Sequence, residues 1–163
     1  MARIIVRFVR ADGFVSGAIA EITNSFFSHA EFGIENLAQE IVAWLGAHAG
    51  TGIEKYAPNY AKEKLEYRYG VPCTDAQYQT WLKWAESQIG KKYNYADIAG
   101  LLFHDRKLNN AKEDICSEFV TLGLEQVFPG KVLNALAEYA YLVTPETLHL
   151  SPLFVGNLIL KAV

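Results

Sequence analysis

Cys116 stands in the run Asp114-Ile115-Cys116-Ser117-Glu118-Phe119-Val120, where a polar approach turns into an apolar-patterned helix. The helical pattern continues through Leu122, Leu124 and Val127 and stops at Pro129-Gly130. Asp114 is the expected N-cap, because its carboxylate can accept from the free amides of a first helical turn. The positive end of the helix dipole would then lie beside the Cys116 sulfur and favour thiolate over thiol. Taken alone, a cysteine here is most simply a small buried thiol at a helix–sheet interface. The capped start and the polar neighbours Ser117 and Glu118 favour a nucleophile.

A thiolate nucleophile needs a base, and the chain offers His29, His48, His104 and His149. His29 opens an alternating segment, His29-Ala30-Glu31-Phe32-Gly33-Ile34-Glu35. Ala30, Phe32 and Ile34 share one face of a strand; His29, Glu31, Gly33 and Glu35 share the other. The expectation is a half-buried strand that presents its histidine on a polar face. Three residues compete to orient the imidazole. Glu31 is two residues along the same face, about 7 Å away. His48 ends the next apolar strand, and Glu35 lies further along the first. Glu31 ranks slightly ahead of His48. In such a set the imidazole takes the thiol proton and later gives it to the leaving group. Cys116 would attack a carbonyl carbon, with its own N–H at the helix start as an oxyanion donor. Water would release an acid; an amine or alcohol acceptor would make the same chemistry an acyl transfer. His104 and His149 carry no partner pattern and read as surface residues. His29, Glu31, His48 and Cys116 are also metal-ligand types. However, neither a Cys-x-x-Cys nor a His-Glu-x-x-His element is present, so no metal and no cofactor are expected. No glycine-rich phosphate loop occurs.

The elements that must place these groups read as follows. Ile4 to Val9 is a first strand, and a short helix over 16–25 leads to the His29 strand. A strand follows over 40–47 and a shorter one from Ile53. Leu65, Tyr67 and Tyr69 alternate in another, which Val71-Pro72-Cys73 closes. Thr74-Asp75-Ala76-Gln77 is a capping box. Its helix carries Tyr78, Trp81, Leu82, Ala85 and Ile89 at helical spacing and stops at Gly90. Segments 95–103 and 133–141 read as further helices, separated from the Cys116 helix by polar loops. Thr144-Pro145 caps a short helix, and the apolar tail reads as a final strand.

The chain has 163 residues, 51% of them hydrophobic, which suits one domain with a substantial core. A net charge of −3 suggests no nucleic-acid partner. Two cysteines, one of them a candidate nucleophile, make no disulfide framework and fit a reducing compartment. The start, Met1 to Arg10, is too short and too charged for a secretory signal, and no apolar run is long enough to span a membrane. The expectation is a cytoplasmic or phage-associated protein.

Gly90-Lys91-Lys92-Tyr93-Asn94, followed by Asp114-Ile115-Cys116-Ser117, resembles the signature of the NlpC-type papain-like cysteine peptidases. That signature is a Gly-x-x-Tyr element and then Asp-x-Cys-Ser with an aromatic or aliphatic pair. Here the Ser28-His29 strand precedes the cysteine, so the chain resembles the circularly permuted branch. That branch also contains the lecithin:retinol acyltransferase-like enzymes. The similarity covers residues 1 to 130 as an ordered set of features. It implies an α+β papain-like domain over 1–163, with an antiparallel sheet packed against helices and the cysteine at a helix N-terminus. It implies that Tyr93 lines the substrate pocket, that Ser117 flanks the nucleophile, and that a polar third residue comes from the strand ending at His48. Relatives often carry a glutamate near Gly46-Ala47, and this chain has none there. The activity implied is a bacterial or phage cysteine amidase or peptidase acting on cell-wall peptide or isopeptide bonds. Alternatives are a thioesterase or acyltransferase on acyl conjugates, and a non-catalytic phage or structural protein that retains the fold.

Overall fold

The computed structural model describes residues 1–10, 26–60, 65–93, 113–133, 140 and 143–162. Strand β1 (Ala2–Arg10) sits inside a six-stranded antiparallel sheet. On one side come β2 (His29–Glu35), β3 (Ile41–His48) and β4 (Gly52–Tyr56); on the other, β5 (Leu65–Cys73) and β8 (Leu158–Ala162). The order across the sheet is β4-β3-β2-β1-β5-β8. A two-residue parallel pair, β6 (Lys92–Tyr93) and β7 (Glu113–Asp114), leads into the cysteine helix. Helices are α1 (Asp75–Ser87), α2 (Cys116–Glu125) and α3 (Pro145–His149), followed by a 3-10 turn over Pro152–Phe154. The architecture is α+β. Among the described residues no helix is long and apolar enough to cross a membrane.

Alternation along β1 divides the molecule. Ile4, Val6 and Phe8 join Ala30, Phe32, Leu45 and Val71 in the main core, where the helices pack. Phe32 meets Trp81 of α1 at 5.0 Å and Phe119 of α2 at 5.4 Å between ring centroids. Gly123 lets α2 come this close: a Cβ there would lie 2.6 Å from the Phe32 ring. The capping box at Thr74 forms as expected, with Gln77 N–H donating to the Thr74 hydroxyl and the Thr74 N–H donating to Gln77. Thr144 likewise caps α3 with Pro145 in its first turn.

The structure corrects several expectations. The N-cap of α2 is Ile115, which makes no side-chain cap bond. Asp114 is drawn back into β7, where its backbone pairs with Tyr93, so the helix begins one residue later than a carboxylate cap would need. Val71-Pro72-Cys73 closes β5 as expected, its last three residues still paired with β1 from Ala2 to Ile4. Helix α1 stops at Ser87, short of Gly90, whose φ of +92° belongs to the following turn. His149 is half-buried rather than a free surface residue: the Tyr69 hydroxyl lies 2.7 Å from its Nε2, and its ring packs on Phe8 and Phe27. The helices read over 16–25, 95–103 and most of 133–141, and the loop holding His104, lie outside the described residues.

Candidate active site

The sheet face opposite the helices is the larger surprise. A polar strand face was expected to meet solvent, yet the first five residues of β2 are all buried. Antiparallel register sets Arg7 opposite Glu31 and Val9 opposite His29. Trp44 from β3 lies under the Arg7 guanidinium at 3.9 Å, and its indole N–H donates to the Pro58 carbonyl at 3.1 Å. Tyr60 brings its ring over Arg7 from the same connection after β4. A second layer therefore covers a face that alternation alone would leave wet.

Glu31 sits fully buried at the centre of that layer. Its Oε1 accepts from Arg7, and the Tyr60 hydroxyl donates to the carboxylate at 3.0 and 3.1 Å from its two oxygens. Its Oε2 lies 3.3 Å from His48 Nε2 and 3.6 Å from His29 Nε2. The first is a hydrogen bond; the second is an ion-pair distance. The two imidazoles lie 4.3 Å apart between centroids, tilted by 51°. Burial alone would raise the Glu31 pKa, but the close approach of His29, the bond with His48, and the charges of His29 and Arg7 hold it far below the usual carboxylate range. Burial, and then the neighbouring His29 charge, push His48 below an ordinary imidazole despite Glu31. Burial and Glu31 together push the Tyr60 phenol far up, so its hydroxyl stays a donor. Arg7 also lies 3.8 Å from Glu66, which is itself bonded to Arg68, so the buried guanidinium faces two carboxylates.

Cys116 occupies the first position of α2 and is 2% exposed. Its sulfur is hydrogen-bonded to His29 and accepts from the backbone amides of Ala30 and Ser117. Since His29 Nε2 has no hydrogen-bond partner and faces Glu31, the bond to sulfur runs through Nδ1. Burial pushes the thiol up; the His29 charge and the three hydrogen bonds outweigh it and bring Cys116 below an ordinary thiol. Conversely, burial would lower His29, but the Cys116 sulfur and Glu31 raise it to about 10. Both shifts favour a thiolate beside an imidazolium. No carboxylate cap is needed for this, because the first-turn amide of Ser117 and the amide of Ala30 in β2 do the work assigned to Asp114.

All four residues expected to carry chemistry, Cys116, His29, Glu31 and His48, thus meet in one cluster. Glu31 and His48 do not compete for one role: one carboxylate oxygen of Glu31 faces the Nε2 atoms of both rings. Gly46 explains where the carboxylate fits. A Cβ on Gly46 would lie 2.8 Å from Glu31 Cβ and 3.0 Å from Oε2. The bare position on β3 leaves the space that the Glu31 side chain fills from β2. The two residues expected at the substrate are placed differently. The Ser117 hydroxyl is buried and donates to the Val143 carbonyl, which ties α2 to the segment before α3. Tyr93 is buried in the core at the approach to α2. Glu35 pairs with Arg3 at the far end of β2 and plays no part in the cluster. Cys73 is free, buried and raised by that burial, as befits an inert thiol.

Arg7, Tyr60 and Trp44 were not singled out in the sequence. The available signal was Arg7 itself, one charge inside the apolar run Ile4 to Val9. Its partner became visible only with the β1–β2 register. Comparison with protein-family models and with curated proteins found no match.

Proposed function

We propose that this protein is a cysteine hydrolase of the papain-like kind, in the circularly permuted arrangement that its motifs resemble. One observation carries the reading. The sulfur at the first position of α2 is hydrogen-bonded to an imidazole from β2 and to two backbone amides, so thiolate and proton donor stand ready together. The Cys116 thiolate attacks a carbonyl carbon; the oxyanion forms beside the first-turn amides of α2. The His29 imidazolium then gives its Nδ1 proton to the leaving group, and an acyl–Cys116 thioester remains. Water, deprotonated by the now neutral His29, releases the acid. Glu31 faces the imidazole on its Nε2 side and stabilises its positive charge, while His48 bonds to the same carboxylate oxygen. The substrate class proposed is an amide, in a peptide or isopeptide linkage.

The test is a substrate panel with mass spectrometry of the quenched enzyme. Peptide amides, isopeptides and acyl thioesters are each mixed with the protein and with Cys116→Ser. An acyl adduct on the Cys116 peptide, absent in the variant, is expected from the amide arm. An adduct from thioesters alone would move the assignment to acyl-group transfer. No adduct from any arm, with Cys116 no more reactive than Cys73 toward electrophiles, would leave a binding or structural protein.

A further inference from the structure

His29 Nε2 is a buried nitrogen without a hydrogen-bond partner, and it points at a carboxylate oxygen that a second imidazole nitrogen also faces. Glu31 Oε2 lies 3.3 Å from His48 Nε2 and 3.6 Å from His29 Nε2, and the three atoms all lie within 4.8 Å of one another. Ligands held tetrahedrally at the usual zinc distances of about 2.0–2.1 Å stand about 3.3–3.4 Å apart. The two measured edges are close to that spacing. We propose that His29, Glu31 and His48 form a binding site for a divalent transition metal of the zinc class, with water as the fourth ligand. Two imidazoles and one carboxylate suit zinc better than a hard cation such as magnesium or calcium. The surroundings supply what such ligands need. Oε1 accepts from Arg7, which leaves Oε2 for the metal. The Tyr60 hydroxyl, 3.1 Å from Oε2 and 3.3 Å from His48 Nε2, gives up both contacts to the ion and keeps its bond to Oε1. The Arg7 charge close by is offset by Glu66 at 3.8 Å.

Binding replaces the proton on His29 Nε2, which leaves to solvent. The ring then keeps its proton on Nδ1, toward the thiolate, but a metal-bound imidazole gives up that proton less readily than an imidazolium, so the leaving group is no longer protonated. The loaded site is therefore an off state for turnover at Cys116. That consequence rests on the hydrolase reading; the binding does not.

The experiment titrates zinc chloride into protein stripped with chelator, in the presence of a chromophoric zinc indicator. One zinc per chain is expected. Affinity should fall at least tenfold in His48→Gln and in Glu31→Gln and persist in Cys116→Ser, with folding of each variant checked by tryptophan fluorescence. Cobalt(II) on the unaltered protein gives a readout that needs no variant: tetrahedral visible bands without a sulfur charge-transfer band in the near ultraviolet. No binding, binding unchanged in both variants, or binding lost in Cys116→Ser with a sulfur band in the cobalt spectrum would each overturn the site. If metal binds as described but the metal-free thiol is slow, the site stands and the hydrolase reading fails.

Discussion

Replacing His29 with glutamine tests the ion pair directly, and its effect can be sized. An ordinary thiol with a pKa of about 8.5 is only about 0.3% thiolate at pH 6. A thiolate fully paired with imidazolium is about 300-fold more abundant there. At a Brønsted slope of about 0.4–0.5, the loss of basicity that full ionisation at pH 6 implies costs intrinsic nucleophilicity by about 30-fold. The net expectation is that His29→Gln slows iodoacetamide labelling of Cys116 by about tenfold at pH 6, with the difference narrowing by pH 9. Both proteins are stripped of metal beforehand. Because Cys116 is 2% exposed, access limits the absolute rates, but the ratio cancels it. Thiolate absorbance near 240 nm, with Cys116→Ser as the blank, needs no access at all. In the unaltered protein that signal should be present at pH 6 and persist upward. On the alkaline side His29 loses its proton near 10. A raised histidine stabilises the fold in full below its unfolded value of about 6.5, and that contribution is lost as pH rises through the folded value. Stability of the unaltered protein should therefore decline near pH 10 more steeply than that of His29→Gln. A 240-nm signal that rises only above pH 8 in both proteins would refute the ion pair.

Arg7→Met leaves Glu31 buried beside one fewer cation. Removing one partner of a buried pair costs about 3–5 kcal/mol, here toward the lower figure because Tyr60, His48 and His29 still face the carboxylate. Thermal unfolding should shift down by about 6–12 °C at roughly 2–4 °C per kcal/mol. Arg3→Met, whose partner Glu35 lies in a part-exposed pair, should cost about 1 kcal/mol or less. Equal shifts in the two variants would contradict the buried-cage account. Gly46→Ala forces a methyl group into contact with the Glu31 carboxylate and His48. It should destabilise by about 1–3 kcal/mol and slow Cys116 labelling at pH 6, whereas Cys73 labelling stays unchanged. Normal Cys116 labelling in that variant would show that the carboxylate does not act on the imidazole.

Two kinds of feature could be read from the chain before any coordinates. Local signals were legible: the Thr74–Gln77 box, the Thr144-Pro145 start, and the two-residue period that puts His29 and Glu31 on one face. The pairing of Cys116 with His29, residues far apart in the chain, was legible from residue type and order. What alternation could not supply was what covers the second face. Arg7 and Glu31 face each other only because β1 and β2 pair in one register, and Tyr60 arrives from a connection with no regular period. The Asp114 cap failed for a related reason. Its backbone had a competing partner in Tyr93, and a strand partner 21 residues earlier (114 − 93) is invisible to a capping rule. His149 was misplaced because its partner Tyr69 comes from a distant strand.

The position of His29 at the very start of β2 is what lets one imidazole serve both faces of the sheet. Ala30 points its side chain into the main core, and its amide donates to the Cys116 sulfur from that side. Glu31 points the other way, into the layer with Arg7, Trp44 and Tyr60. A ring further inside the strand would be confined to one layer; at the strand end it reaches the sulfur with Nδ1 and the carboxylate with Nε2. The two supports of the thiolate are therefore separable. Changes in the Glu31 layer act through the imidazole and leave the amide donors of Ala30 and Ser117 in place. Loss of Glu31 should weaken the thiolate less than loss of His29 does. That ordering follows from which face each group occupies, and it would reverse if the carboxylate, rather than the imidazole, were the group that holds the sulfur's charge.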